Sequence, residues 1–325
     1  MLLEERIGLF LFHHRRKVNK GVHALWAVFR TLLFIGLGFV LLYPVIYMMS
    51  IAFRPVSELS DPSVIWIPKS FTLTNFKETF KALGMPQTLY TTVLISLLCA
   101  ALQMVSCSLA GYGFARFRFA GRNLLFGVVI FSIIVPMQTL ILPTYAEFKN
   151  FDIFGLFGLI NTISGVDLRV NLLDTLWVYI LPSLFGMGIR GGLFIFIFRQ
   201  AFRGMPKELE EAAAIDGCGR FKTFYKIMVP MSGPTYLTVF LFSFVWHWNE
   251  YFYSTMYMGS VKTLATGLAT LSLSLKAVGV QVFDPFELTT RLQSGCFIMI
   301  VPLLIMYIFL QKYFVEGVER TGITG

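Results

Sequence analysis

The sequence predicts an all-α membrane protein with six transmembrane helices, on three observations. Apolar residues make up 56% of the 325-residue chain and charged ones only 14%, with a mean hydropathy of +0.70, outside the balance of a soluble globular domain. Uncharged runs recur near the roughly 20-residue length that a helix needs to cross a bilayer core. Basic residues crowd alternate loops between those runs, as they do on the cytoplasmic side of membrane proteins.

The first run covers 31–53 and the second 82–115. In the second, "SCSLAGYGFA" sets Ser106, Ser108, Ala110 and Gly111 toward one end, where small side chains let a neighbouring helix approach closely. The third run, 123–146, contains Pro136 and Pro143. The fourth, 175–198, carries Pro182 and "GMGIRGG" and is interrupted only by Arg190. Such residues kink or open a helix, and the freed backbone groups then need neighbours or cavity water. Arg190 either faces a protein interior or reaches back to an interface. The fifth run, 231–249, is the shortest and extends through Tyr253; the sixth covers 292–311. The stretch 153–166 is too short, and too rich in Gly and Asn, for a seventh span.

Six spans place both termini on one side. That side collects 17 basic residues, including Arg116, Arg118 and Arg122 in the second loop, against 9 in the three opposite loops. Both termini are therefore expected in the cytoplasm. The net charge of +9 follows from this bias, and no nucleic-acid partner is inferred. The opening "MLLEERIGLFLFHHRRKVNK" does not resemble a cleavable signal, because its short apolar part precedes the cations. It reads as an interfacial helix or a cytoplasmic tail. The expected organisation is a cytoplasmic or interfacial segment at 1–30, a six-helix domain at 31–315 with a polar loop at 203–230, and a cytoplasmic tail at 316–325.

Several chemistries lack their residues. No Asp or Glu lies within the six expected cores, Glu250 standing only at the edge of the fifth. An ion-coupled secondary transporter or a channel for small polar solutes, the alternative reading, would need such a carboxylate to hold its coupling ion. Asp152, Asp167 and Asp174 read as turn residues, not as an acid–base pair for a membrane enzyme. Cys99, Cys107, Cys218 and Cys296 show neither metal-ligand spacing nor a disulfide framework. No glycine-rich phosphate loop ending in Lys-Ser/Thr is present, so no nucleotide or other cofactor is expected on this chain, and no catalysis.

The wettest long stretch of the second half is "KELEEAAAIDGCGRFKTFYKIMVP", 207–230. Pro206 suits a first helical turn, and Glu208, Glu210 and Glu211 then meet the positive end of the helix dipole. Three alanines favour the helix and keep its surface low, and Gly217 suits a left-handed stop. A second short helix over 219–228 ends before Pro230. Small residues on such a helix allow insertion into a partner's cleft.

At this point the sequence resembles the integral membrane permeases of ATP-binding-cassette (ABC) importers. Their signature is an EAA triplet, three residues, Gly, nine residues, Ile, one residue, Leu-Pro. Here it reads Glu211-Ala212-Ala213, Gly217, Ile227 and Val229-Pro230, with Val in place of the family's Leu. The likeness extends over most of the chain and points to the carbohydrate-importer, MalG-like branch. "WIPKSFTLTNFKETF" is similar to its outer loop, "FVWHWNEYFYS" to its fifth span, and the Gly-ending tail to its C-terminus. The segment "ISGVDLRVNLLD", 163–174, departs from the branch by intervening before the fourth span.

The resemblance implies a type I ABC importer permease fold in the bacterial inner membrane. It also implies a second homologous permease, two ATPase subunits that carry ATP and Mg, an extracytoplasmic solute-binding protein and a carbohydrate substrate. Glu211, Ala212, Ala213, Asp216 and Gly217 would form the face that docks on an ATPase, with Ile227 and Pro230 fixing the exit angle. Residues 315–325 would also touch the ATPases. A sugar path would draw on Trp246, Trp248, Asn249, Glu250 and Tyr251, and on Arg190 if it faces inward; the same aromatics also suit an interfacial belt. His247 reads as a packed or interfacial side chain and not as a ligand.

Overall fold

A computed structural model describes residues 2–322 apart from 154, 167 and 283, with side chains described between 23 and 312. Asp167 and the side chains of the tail from 315 onward lie outside the described residues. Among the described residues regular structure is helical, apart from one isolated antiparallel bridge between Phe151 and Val170. The chain divides into two compact units, residues 1–76 with 284–297, and residues 77–283 with 298–325.

The first unit contains α1 (Leu2–Ala52), the loop after it, and the opening turns of the last helix (Pro285–Gly322). Buried polar side chains satisfy the end of α1. Asn75 donates Nδ2 to the carbonyls of Ala52 and Arg54 at 3.0 and 2.9 Å, and Ser294 donates to Ala52 at 3.2 Å. These are the orphan carbonyls a helix leaves at its C-terminus. The loop is clamped by Glu58, whose carboxylate accepts the amides of Lys69 and Ser70 at 2.9 Å each and the Ser70 hydroxyl. Asp61 pairs with Lys69 at 2.6 Å.

The second unit is built around α3 (Met85–Arg116), preceded by α2 (Thr74–Leu83). Next come α4 (Arg122–Ile134), α5 (Met137–Lys149), α6 (Leu156–Ser164), α7 (Trp177–Leu184) and α8 (Gly191–Gly204). Then follow α9 (Glu208–Ile215), α10 (Arg220–Met231), α11 (Gly233–Trp248), three short helices α12 (Phe252–Tyr257), α13 (Leu264–Ala269) and α14 (Leu271–Ala277), and, from Ile298 onward, the rest of the last helix, α15 (Pro285–Gly322). The apolar window of α3 is 39% buried, against 6% for α1 and 11% for α15, which makes α3 the core helix. It packs on α8, α11 and α7. The small residues near its end serve that packing: a Cβ on Gly111 would stand 2.6 Å from Phe198 Cβ and 2.9 Å from the Arg199 nitrogen.

Three described helices are long and apolar enough to cross a membrane, or up to five if each bent pair is one span, where the sequence predicts six. One run that looks continuous in hydropathy is bent: the third turns by 106° between α4 and α5, where Pro136 lacks the amide that would continue the ladder. The fifth run corresponds to α11, and the loop helix α10 before it meets it at 80° across Ser232–Pro234. The fourth divides into α7 and α8, each too short to span alone, around 185–190. The 153–166 stretch holds only the nine-residue α6.

Candidate functional site

The EAA stretch forms α9, an eight-residue helix with a well-defined stop. Gly217 takes φ = 73°, its amide donates to Ala214 at 3.1 Å, and the Cys218 amide donates to Ala213 at 2.8 Å. This pair of bonds is the Schellman arrangement, which needs a residue at ease in the left-handed region. Pro206 lies ahead of the helix instead of in its first turn, because Lys207 supplies the first accepting carbonyl, to Glu210 and Glu211 at 2.9 and 3.1 Å.

One face of α9 is free. Glu211 and Ile215, and Ala212 and Asp216, are i,i+4 pairs and all four are exposed, Ile215 at 87%. Ala213 points the other way and is 3% exposed. Ile227 is half-buried in a π turn of α10, and Pro230 is exposed beside it.

The inward face is tied to α3, which the sequence did not reveal. Glu210 lies three residues before Ala213, on the same side of the helix. Its Oε1 accepts the Tyr112 hydroxyl at 3.1 Å and stands 3.5 Å from Arg116 Nε. Arg116 also donates Nη2 to the Met205 carbonyl at 2.7 Å, fixing the start of the loop. Beneath, the Tyr112 ring packs on Phe117, Phe202 and Phe224 with centroids 5.4, 5.6 and 5.0 Å away. The loop is thus joined to the core helix by charge, hydrogen bonds and a shared aromatic cluster.

Farther along α3, three polar side chains complete the opened fourth run. Gln103 Nε2 donates to Ile189 O at 3.0 Å, Ser106 donates to Ser183 O at 2.7 Å, and Cys107 Sγ stands 3.7 Å from Gly191 O. Gln103 also accepts Ser243 Oγ at 2.5 Å. Backbone released from helical pairing inside an apolar unit needs such partners. Glycine is required here too, since a Cβ on Gly191 would lie 2.1 Å from Gly186 O.

Of the residues expected on a sugar path, the structure brings Arg190 and Trp246 together. Arg190 caps α8 in the left-handed region at φ = 59°, and its guanidinium carbon lies 5.5 Å from the Trp246 ring centroid, a cation–π distance. Trp248 is turned away from any path: it is 1% exposed and donates Nε1 to Met299 O at 3.1 Å. Asn249 is exposed and folds its amide back to Val245 O at 2.8 Å. Glu250 accepts the Tyr253 amide at 2.7 Å and borders a 40 Å³ cavity with Gln138, too small for a sugar ring. Tyr251 is exposed. His247 is packed, its Nδ1 on Ser243 O at 2.7 Å.

The 163–174 segment is folded onto the second unit. Phe151 and Val170 exchange backbone bonds, and Asp174 accepts the Ser260 amide and hydroxyl at 2.9 and 3.0 Å. Asp152 accepts the amides of Phe157 and Gly158, both at 2.8 Å, at the start of α6. Both carboxylates serve turns, in line with the sequence reading. Among the described residues no cluster of three or more His, Cys, Asp or Glu could hold a metal ion.

Residues 107–320 match the family described as "Binding-protein-dependent transport system inner membrane component". The arabinooligosaccharides transport system permease protein AraQ of Halalkalibacterium halodurans is 31% identical over 300 residues, covering 91% of this chain and 95% of that protein. The osmoprotective compounds uptake permease protein GgtD of Synechocystis is 30% identical, covering 79% of this chain and 77% of that one. A solved bacterial ABC transporter, involved in the import of the acidic polysaccharide alginate, contains a chain that superposes with a TM-score of 0.64 at 17% identity. That superposition covers 89% of this chain and 96% of the other, and shows a shared fold.

Proposed function

Because the chain belongs to the family of binding-protein-dependent transport system inner membrane components, we propose that it is a permease subunit of an ATP-driven importer of sugars or oligosaccharides in the bacterial cytoplasmic membrane. It lines half of a translocation path together with a second, homologous permease, and a solute-binding protein delivers substrate from outside. The chain crosses the membrane six times, α7 and α8 forming one broken span, with both termini in the cytoplasm. Two ATPase subunits supply the energy, and this chain receives it through α9.

The exposed face of α9 carries this reading. Glu211, Ala212, Ile215 and Asp216 stand outward on a helix whose opposite face is bound to α3 through Glu210, so a load applied to the free face is delivered to the core helix. Gly217 sets the end of that helix and leaves open space where a side chain would stand. ATP-driven closure of the ATPases would draw two such loops together and tilt the spans between inward-facing and outward-facing states. Arg190 and Trp246 offer a cation and an aromatic face to a passing sugar. Trp248 has no part in that path.

The test is purification of the tagged chain from its native membrane. Two ATPase chains, a second permease and a sugar-loaded binding protein are expected with it, and a cysteine placed at Ile215 should cross-link to an ATPase. Uptake that survives ATP depletion and collapses with the ion gradient would support the secondary-transporter reading instead.

A further inference from the structure

The end of the second unit that carries α9 has a second charged feature, which coupling does not use. The start of α4 and the end of α8 lie side by side there, and four arginines converge on them. Arg118 and Arg122 line a cavity of about 280 Å³ with Phe119, Gly121, Asn123 and Leu124. Arg199 lies with its guanidinium carbon 3.8 Å above the Phe126 ring, and Arg203 and Arg122 are the charges that act on it. None of these four arginines forms an ion pair among the described residues, whose three salt bridges lie elsewhere. Like charges held together without a counter-ion repel one another, and only solvent or a bound anion relieves that.

Backbone and surface point the same way. α4 begins at Gly121, at φ = 78°, without a capping side chain and without an acidic residue in its first turn. The Arg122 amide turns back to Phe119 O at 3.3 Å, and the amides of Asn123 and Leu124 stand at the positive end of the helix beside the arginines. From the lip of the cavity an apolar row runs down α4: Leu124, Val128 and Phe131 follow the i, i+4, i+7 spacing and are 75%, 58% and 65% exposed. At 280 Å³ the cavity falls just short of the roughly 300–1,000 Å³ of drug-sized ligand sites, which suits a headgroup better than a whole organic ligand.

We propose that this basic notch binds the phosphate of an anionic phospholipid, whose acyl chains lie along the Leu124, Val128 and Phe131 row of α4. The recognised chemistry is a phosphate ester; the apolar row selects a lipid over a soluble one. Basic pockets between spans at a membrane surface are suited to such headgroups.

The test uses native mass spectrometry on the full chain in detergent, with phosphatidylglycerol, phosphatidylcholine and glycerol 3-phosphate as probes. Phosphatidylglycerol should be retained on the order of tenfold better than phosphatidylcholine, with glycerol 3-phosphate weaker than either lipid. Arg118 makes no hydrogen bond or ion pair among the described residues, so Arg118→Gln should leave the fold intact. It should cut the preference about fivefold, and adding Arg122→Gln should abolish it. The control pair Lys262→Gln and Lys276→Gln should leave the preference unchanged. An equal preference in wild type and Arg118→Gln overturns the proposal, and so does glycerol 3-phosphate binding as tightly as the lipid. Cross-linking of a cysteine at Arg118 to a protein chain of the assembly, instead of to lipid, also overturns it.

Discussion

Arg116 Nε lies 3.5 Å from the Glu210 carboxylate oxygen that also accepts the Tyr112 hydroxyl, so one oxygen joins the core helix to the loop. The Arg116 side chain is only 6% exposed and Glu210 25%, which shields the pair from solvent more than a surface salt bridge. Glu210→Ala should destabilise the isolated chain by about 1.5–3 kcal/mol, the range for hydrogen bonds to charged groups. Combining it with Arg116→Met should cost less than the sum of the two, because they share a partner. Thermal midpoints at one scan rate give the cycle, and in the intact assembly Glu210→Ala should lower transport per ATP hydrolysed. Strict additivity would mean that the two residues act independently.

Gly217 offers a sharper probe of the loop. A side chain there is strained by roughly 1–2 kcal/mol in the left-handed region. Proline also removes the amide that bonds Ala214 and cannot take this φ. Gly217→Pro should leave membrane insertion unchanged and abolish binding-protein-stimulated ATPase activity and uptake. Normal values for both would remove Gly217 from the docking face.

Gly111 and Gly113 make a matched pair on α3. A Cβ at Gly111 meets Phe198 and the Arg199 backbone, whereas one at Gly113 meets nothing within 4 Å. Gly111→Ala should force α3 and α8 apart and lower the yield of folded protein. Gly113→Ala should be neutral or stabilise by up to about 1 kcal/mol, through helix propensity alone. Size-exclusion profiles and melting midpoints in one detergent compare them.

Gln103 uses both ends of its amide. Gln103→Leu would leave Ile189 O buried and unpaired, at about 1–3 kcal/mol, and would leave the Ser243 hydroxyl only its longer 3.4 Å contact with His247 Nδ1. Gln103→Glu would bury a charge and should be worse. The expected result is a lower midpoint for both variants, with Glu below Leu.

The loop after α1 should respond to acid. The hydroxyl of Ser70 holds the Glu58 carboxyl below its ordinary range, and Lys69 does the same for Asp61. Carboxyls depressed in the folded state stabilise it fully above their ordinary pKa values and progressively less as pH falls through the lowered ones. The clamp should therefore hold at neutral pH and weaken as pH falls through the lowered carboxyl range. Hydrogen exchange at the Lys69 and Ser70 amides, corrected for intrinsic rate, would show it. Glu58→Gln should raise that exchange already at pH 7.

What was legible in the sequence was local. Gly217 ends its helix because the requirement sits in one residue's backbone, and "GMGIRGG" opens the fourth run because glycines and a proline remove helical support there. The small residues of α3 foretold a close neighbour, and Gly111 has one. Direction and partnership were not legible. Hydropathy counts residues without their heading, so Pro136 announced a kink in the third run but not its 106° size. Trp248 and Trp246 look alike in "FVWHWNEYFYS", yet one bonds Met299 O inside the protein and the other faces Arg190. Glu210 is one of several glutamates until α3 supplies Tyr112 and Arg116. Its position three residues before Ala213, on one side of the helix, was the available signal.

The carbonyls of 183–191 are held by side chains made much earlier in the chain. Gln103 precedes its partner Ile189 by 86 residues, an interval on the order of ten seconds at a ribosome adding about 5–20 residues per second. Throughout that wait the Gln103 amide lacks both partners it holds in the folded chain, Ile189 O and the Ser243 hydroxyl. The buried amide of α3 is therefore completed only by chain made after it, and the opened helix is what closes that gap.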